Sequence, residues 1–304
     1  MRLTSFQRLA LWTTAATYFL ILVGGLVRAS GAGLGCPDWP RCFGSWIPPA
    51  SAADLPPQFD VAQFNPTLMW TEYLNRLLGV TVGFLILATT ISAWRHHRHQ
   101  PRILWTIVAA LLLTGFQGWL GGRVVAHELA AWIVTVHMIV ALVIVQMLLY
   151  VTVESGASGA SGASVTSGAS GAVIALIALT LVQIAFGTQV RGAVDTALDS
   201  GVARELALGT VGRLDLLHRD LAFAVLAGSA ALSIWLMARR ALTALIRWSL
   251  VVVSLAVLQI VLGAVMAYGA LSPAAQVGHL TTASLLLGAE TVLLLRAWRR
   301  ADSG

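Results

Sequence analysis

Apolar residues fill this chain in runs of twenty or more, separated by short polar breaks. About 20 apolar residues rising 1.5 Å each suffice to cross a bilayer. Eight stretches meet that length and are predicted as helices: roughly 8–28, 67–94, 103–124, 130–153, 172–192, 210–238, 247–268 and 277–298. The first could be read as a secretory signal with Ala29-Ser30-Gly31 as its cleavage region. Its apolar run is longer than such a leader uses and Arg28 interrupts the cleavage region, so a retained helix is expected.

Composition agrees with this pattern. The 304 residues are 58% hydrophobic and 11% charged, against about 25% charged in soluble domains. The expected class is therefore an all-α integral membrane protein of eight transmembrane helices. Arg95, Arg98 and Arg102 follow the second span, Arg239 and Arg240 the sixth, Arg296, Arg299 and Arg300 the eighth, and Arg2 and Arg8 lie near the N-terminus. With eight spans these basic regions share one face, which places both termini in the cytoplasm; the expected location is the cell (inner) membrane. The net charge of +6 does not point to nucleic acid, because no basic helix carries interleaved aromatics.

Two halves repeat. Gly24-Gly25-Leu26-Val27-Arg28 closes the first span and Gly187-Thr188-Gln189-Val190-Arg191 the fifth. Gln117-x-x-x-Gly121, Gln183-x-x-x-Gly187 and Gln259-x-x-x-Gly263 recur in spans three, five and seven. The polar sextets Thr71–Arg76 and Leu214–Arg219 open spans two and six, pairing Glu72, Asn75 and Arg76 with Asp215, His218 and Arg219. The expected organisation is an N-terminal four-helix half (1–153), a flexible Ser/Gly/Ala linker (154–171) and a C-terminal four-helix half (172–304). The halves would form two pseudo-symmetric bundles.

An acid, an imidazole and a guanidinium at the start of a span are costly in lipid, so they mark function. Asn75, His137, His218 and His279 are each expected about two turns inside their span, at one depth. His218 and His279, on facing helices, can hold one haem iron between them, whereas His137 faces Asn75, a weak or absent ligand. Zinc would want a tetrahedral set of four. Arg28, Arg76, Arg191 and Arg219 border this layer and suit the two propionates of a haem, or they snorkel to the interface. Glu72 is placed to handle protons beside the incomplete site, or to pair with Arg76 one turn on.

Cys36 and Cys42, the only cysteines, share one external loop and read as a disulfide, either a structural staple or a redox pair. His96, His97 and His99 fall in a basic cytoplasmic loop with no metal assigned, and His127 in the turn between spans three and four.

The stretch from Gly24 to Cys42, with the second Gly-x-x-Val-Arg, the acid-x-x-His-Arg and the late histidines, strongly resembles the haem A synthase family, over nearly the whole chain. The resemblance implies an eight-helix membrane enzyme that oxidises a porphyrin methyl of haem O to the formyl of haem A for terminal oxidases. It implies that His218 and His279 ligate a resident haem b, that His137 lies in the substrate haem site, and that Glu72 is the catalytic acid. Partnership with the farnesyltransferase that makes haem O, and with terminal oxidase assembly factors, is implied in the same way; a homo-oligomer stays open. The sequence departs from the family at Asn75, where many members carry a second histidine. The competing functions are a bis-histidine b-type cytochrome electron carrier or quinone reductase, and a transporter; the latter fits poorly with a polar layer near one face.

Overall fold

The computed structural model describes residues 3–156 and 168–298. Eight long helices are apolar enough to cross a membrane: α1 (Ser5–Ala29), α2 (Pro66–His97), α3 (Pro101–Ala126), α4 (Ala131–Glu154), α5 (Gly168–Asp199), α7 (Arg213–Ala238), α8 (Thr243–Tyr268) and α9 (Pro273–Trp298). A short helix, α6 (Arg204–Ala207), sits in the connection between α5 and α7. No strand occurs among the described residues. The chain is an all-α multi-pass membrane protein.

Local chemistry sets the helix starts. Thr4 and Gln7 form a reciprocal capping box on α1, satisfying amides that have no partner within the helix. Pro66 and Pro101 open α2 and α3, where a missing N–H costs nothing. The α3–α4 and α8–α9 turns are alike, each with two consecutive residues at positive φ, Glu128 and Leu129 in one and Ala270 and Leu271 in the other.

Several boundaries differ from expectation. Span six was expected from 210, but α7 begins at Arg213, because Gly212 has φ 65° and breaks the approach. The linker expected at 154–171 is shorter at both ends. Glu154 completes α4, and Gly168 to Gly171 open α5, where buried Ala169 packs into the cluster around Leu232 and Leu236. The remainder of that linker, 157–167, lies outside the described residues, as do Arg2, Arg299 and Arg300. His96 and His97 end α2 rather than lying in a loop, and the His97 ring rests 4.3 Å from that of Phe6.

Helices α1 to α4 pack in a ring, each against the next and α4 back against α1. A second ring joins α5, α7, α8 and α9. The two meet along α1, α4, α5 and α9, with α9 at the centre. In its most apolar window 72% of the residues are buried, against 17–33% in the other seven long helices. Gly288 is required there: a Cβ would overlap the Tyr18 hydroxyl. Hydroxyls tie the helices together, as Thr13 to Thr89 (2.9 Å) and Thr135 to Thr188 (2.6 Å). In lipid such polar contacts, and close packing at small residues, replace the hydrophobic drive between helices.

Candidate functional site

His218 is the sixth residue of α7, and His137 and His279 are each the seventh of α4 and α9. All three therefore stand near the same end of the molecule. Asn75 is the tenth of α2 because that helix starts earlier, at Pro66. The Thr135–Thr188 contact, two residues from His137 and one from Gly187, ties α4 to α5 at this level.

His218 and His279 come together. Their ring centroids are 6.4 Å apart, with planes at 63°. Two imidazoles sharing one metal need roughly 6 Å, from about 2 Å per metal–nitrogen bond plus half a ring on each side. Nδ1 of His218 lies 3.2 Å from the Gln183 carbonyl. A donor bond there orients the ring in the usual way for a ligand imidazole, with Nε2, which lies 3.4 Å from the Gln183 amide nitrogen, as the atom that would meet a metal. Among the described residues no group of three or more His, Cys, Asp or Glu could hold an ion by itself. Two protein ligands suit haem, whose macrocycle supplies the other four. On this geometry the pair fits a haem iron.

The Gln-x-x-x-Gly repeat noted in the sequence acquires a purpose. Each of its glycines lies beneath a histidine ring. A Cβ built on Gly121 would stand 3.6 Å from Cε1 of His137, one on Gly263 3.7 Å from His279, and one on Gly187 only 2.9 Å from His218. Gln117 also donates from Nε2 to the His137 carbonyl at 2.7 Å, holding α4 on α3. Nδ1 of His137 and Oδ1 of Asn75 are both buried without a hydrogen-bond partner, which is unusual for groups away from water.

Arg28 and Arg191 do converge, on a residue the sequence reading missed. Asp195, one turn beyond Arg191 on α5, pairs with Arg28 of α1 and with Arg191 at 2.8 Å. Arg191 bonds Gln276 of α9 as well. Two guanidiniums on one carboxylate leave a positive balance, and Nε of both arginines is buried and unpartnered. The Arg191-x-x-x-Asp195 spacing was the available signal.

Arg76 and Arg219 behave differently. Arg219 pairs with Asp215 at 2.7 Å on its own helix. Arg76 turns to the 31–65 loop, giving hydrogen bonds to the carbonyls of Asp38 (2.7 Å), Arg41 (2.8 Å) and Cys36 (3.3 Å), and pairing with Glu72 at 2.5 Å. The other oxygen of Glu72 accepts the Cys36 amide at 2.8 Å. Glu72 and Arg76 thus fix the loop on α2. Gly35 allows the contact, since a Cβ would collide with the Leu68 backbone. Cys36 and Cys42 are disulfide-bonded, fully buried, and packed on Phe43 and Met69. Trp39 lies on Gly122 of α3, next to the glycine beneath His137, so the loop covers the His137 side of the layer. His127 accepts from Arg123 at 2.6 Å and stays at the α3 C-cap.

The chain is 30% identical to the haem A synthase of Allorhizobium ampelinum over 142 residues, 41% of this chain and 39% of that protein. It is 32% identical to that of Shewanella oneidensis over 155 residues, 49% and 44% of the two chains. With the enzyme of Geobacillus kaustophilus it shares 34% over 124 residues, 41% and 34%. The aligned stretches span less than half the length of these relatives. The profile of the COX15-CtaA family, described as cytochrome oxidase assembly protein, matches residues 7–292, and the chain belongs to that family.

Proposed function

We propose that this chain is a haem A synthase, a membrane oxidoreductase that converts the methyl group of haem O into the formyl group of haem A. The observation that carries the reading is the His218–His279 pair, spaced for one iron, beside a lone His137 in the other half. In this reading the C-terminal half, 172–304, holds a resident haem b and the N-terminal half, 1–153, takes haem O as substrate. When bound, the resident haem supplies a one-electron redox centre through which electrons leave.

The chain's own residues do the rest. His137 orients the substrate from α4, and Asn75 faces it from α2. Arg28 and Arg191, with one positive charge beyond what Asp195 neutralises, attract propionates. The disulfide loop, seated by Glu72 and Arg76, keeps water from the substrate face. Glu72 is the carboxylate that handles protons there, and its bonds to Cys36 and Arg76 fix where it stands. The protein would sit in the cell membrane with both termini cytoplasmic, receive haem O from the farnesyltransferase that makes it, and deliver haem A to terminal oxidase assembly.

Pigment extraction from the purified protein tests this. Haem A or its hydroxylated precursor is expected beside haem b. His218→Ala should lose the haem b, and His137→Ala should lose the product while keeping it. Haem b alone in the wild type, or no haem, would overturn the proposal.

A further inference from the structure

The two halves use the same device for three of their four layer positions. A histidine on one helix stands over a glycine of a neighbouring helix, and a glutamine precedes that glycine by one turn. His137 stands over Gly121, His218 over Gly187 and His279 over Gly263. The fourth position can be located without reference to any other protein. Gly187 precedes Arg191 by four residues in α5, as Gly24 precedes Arg28 in α1. These helices pack on α7 and α2 respectively, which carry His218 and Asn75.

Two of the three residues differ at that fourth position, and the third, Gly24, is kept without a ring over it. Asn75 replaces the imidazole. Among the described residues, no atom lies within 4 Å of a Cβ built on Gly24, so no ring rests on it. Leu20 stands where Gln183 stands in α5, and it packs into the apolar cluster of Ile86 and Ile107 instead of serving a ligand. A single substitution at 75 would have left a glutamine serving no ring. Here the imidazole and the glutamine are both replaced and Gly24 alone is kept, while the Asn75 amide has a buried, unpartnered Oδ1.

Resting on the functional reading above, we infer that the N-terminal site holds its haem through His137 alone, and that the Asn75 side admits a small neutral ligand, water or a diatomic molecule. A carboxamide does not compete for iron as an imidazole does, but it can hydrogen-bond a molecule bound there. The C-terminal pair, with both imidazoles on one metal, has no such opening. The non-equivalence of the halves thereby separates a site that exchanges a ligand from one that only passes electrons.

Carbon monoxide is the probe, added to the full-length protein purified with its haems and reduced. The wild type is expected to bind it at the His137-dependent haem, leaving the His218–His279 haem unreactive. Asn75→His should lower that binding at least about tenfold and add a second low-spin signal. Asn75→Gln supplies no imidazole and should keep it, so a folding defect in the first variant does not decide the matter. A His137-dependent haem that is unreactive toward carbon monoxide in the wild type overturns the inference alone, as does unchanged binding in Asn75→His. A protein without any His137-dependent haem overturns the functional reading itself.

Discussion

Glu72 accepts the Cys36 amide at 2.8 Å, so a carboxylate near the start of a membrane-spanning helix holds the first residue of the disulfide loop. The same side chain pairs with Arg76, which gathers three carbonyls of that loop. Both side chains are shielded, at 6% and 15% exposure. Removing the acid would leave a guanidinium in a poorly solvated place. Glu72→Ala should therefore cost about 3 kcal/mol, seen as a lowered Tm in detergent, with Glu72→Gln losing less. Equal melting of the wild type and Glu72→Ala would show that the clamp bears no load.

The disulfide is buried beneath Phe43 and Met69, and Phe59 and Phe64 edge onto Phe43 at 5.4 and 5.8 Å. A staple closing so short a loop contributes about 2 kcal/mol. The double Cys36→Ala, Cys42→Ala variant should melt earlier by that margin. In the folded wild type, maleimide should label neither cysteine after mild reduction. Prompt labelling would favour a redox-active pair over a staple.

Gly187 is the least replaceable of the three cradle glycines. In Gly187→Ala the methyl would stand 2.9 Å from the His218 ring, forcing the imidazole aside at an overpacking cost of about 1–3 kcal/mol. The haem-to-protein ratio should fall. Gly263→Ala and Gly121→Ala, at 3.7 and 3.6 Å, sit at ordinary contact distance and should retain haem. A full haem complement in Gly187→Ala would remove the steric argument.

Asp195 joins α1 to α5 and so one half to the other. Asp195→Asn would leave Arg28 and Arg191 close together without their shared counter-charge. The groups are partly exposed, at 21–27%, so solvent screening holds the loss to about 1–2 kcal/mol. Denaturant unfolding should show it, with the deficit shrinking as salt is raised. An unchanged midpoint would mean that the contact contributes nothing net.

The apolar runs determined eight spans, because a bilayer demands about 20 apolar residues per crossing whatever lies beside them. The spacing of the histidines, and the repeat of Gln-x-x-x-Gly, were also legible along the chain. Which helix lies inside was not. Helix α9 has 72% of its best window buried, yet at 1.4 it has the lowest mean hydropathy of the eight, while α8, at 17% buried, has the highest at 2.6. Lipid and protein interior are alike in polarity, so hydropathy marks what enters the membrane and not what faces a neighbour. The arginine partners followed the same logic. One-dimensional spacing offered Arg76 and Arg191 equally to an anionic ligand, and only the folded loop claimed Arg76. Asp195 became visible as a shared counter-ion once packing had brought the Arg28 end of α1 within side-chain reach of α5. The sequence by itself determined that three imidazoles and one amide occupy repeat-related places. The tertiary structure decided that two of the imidazoles face each other at the distance of a shared metal, because that distance depends on helix packing and not on spacing along the chain.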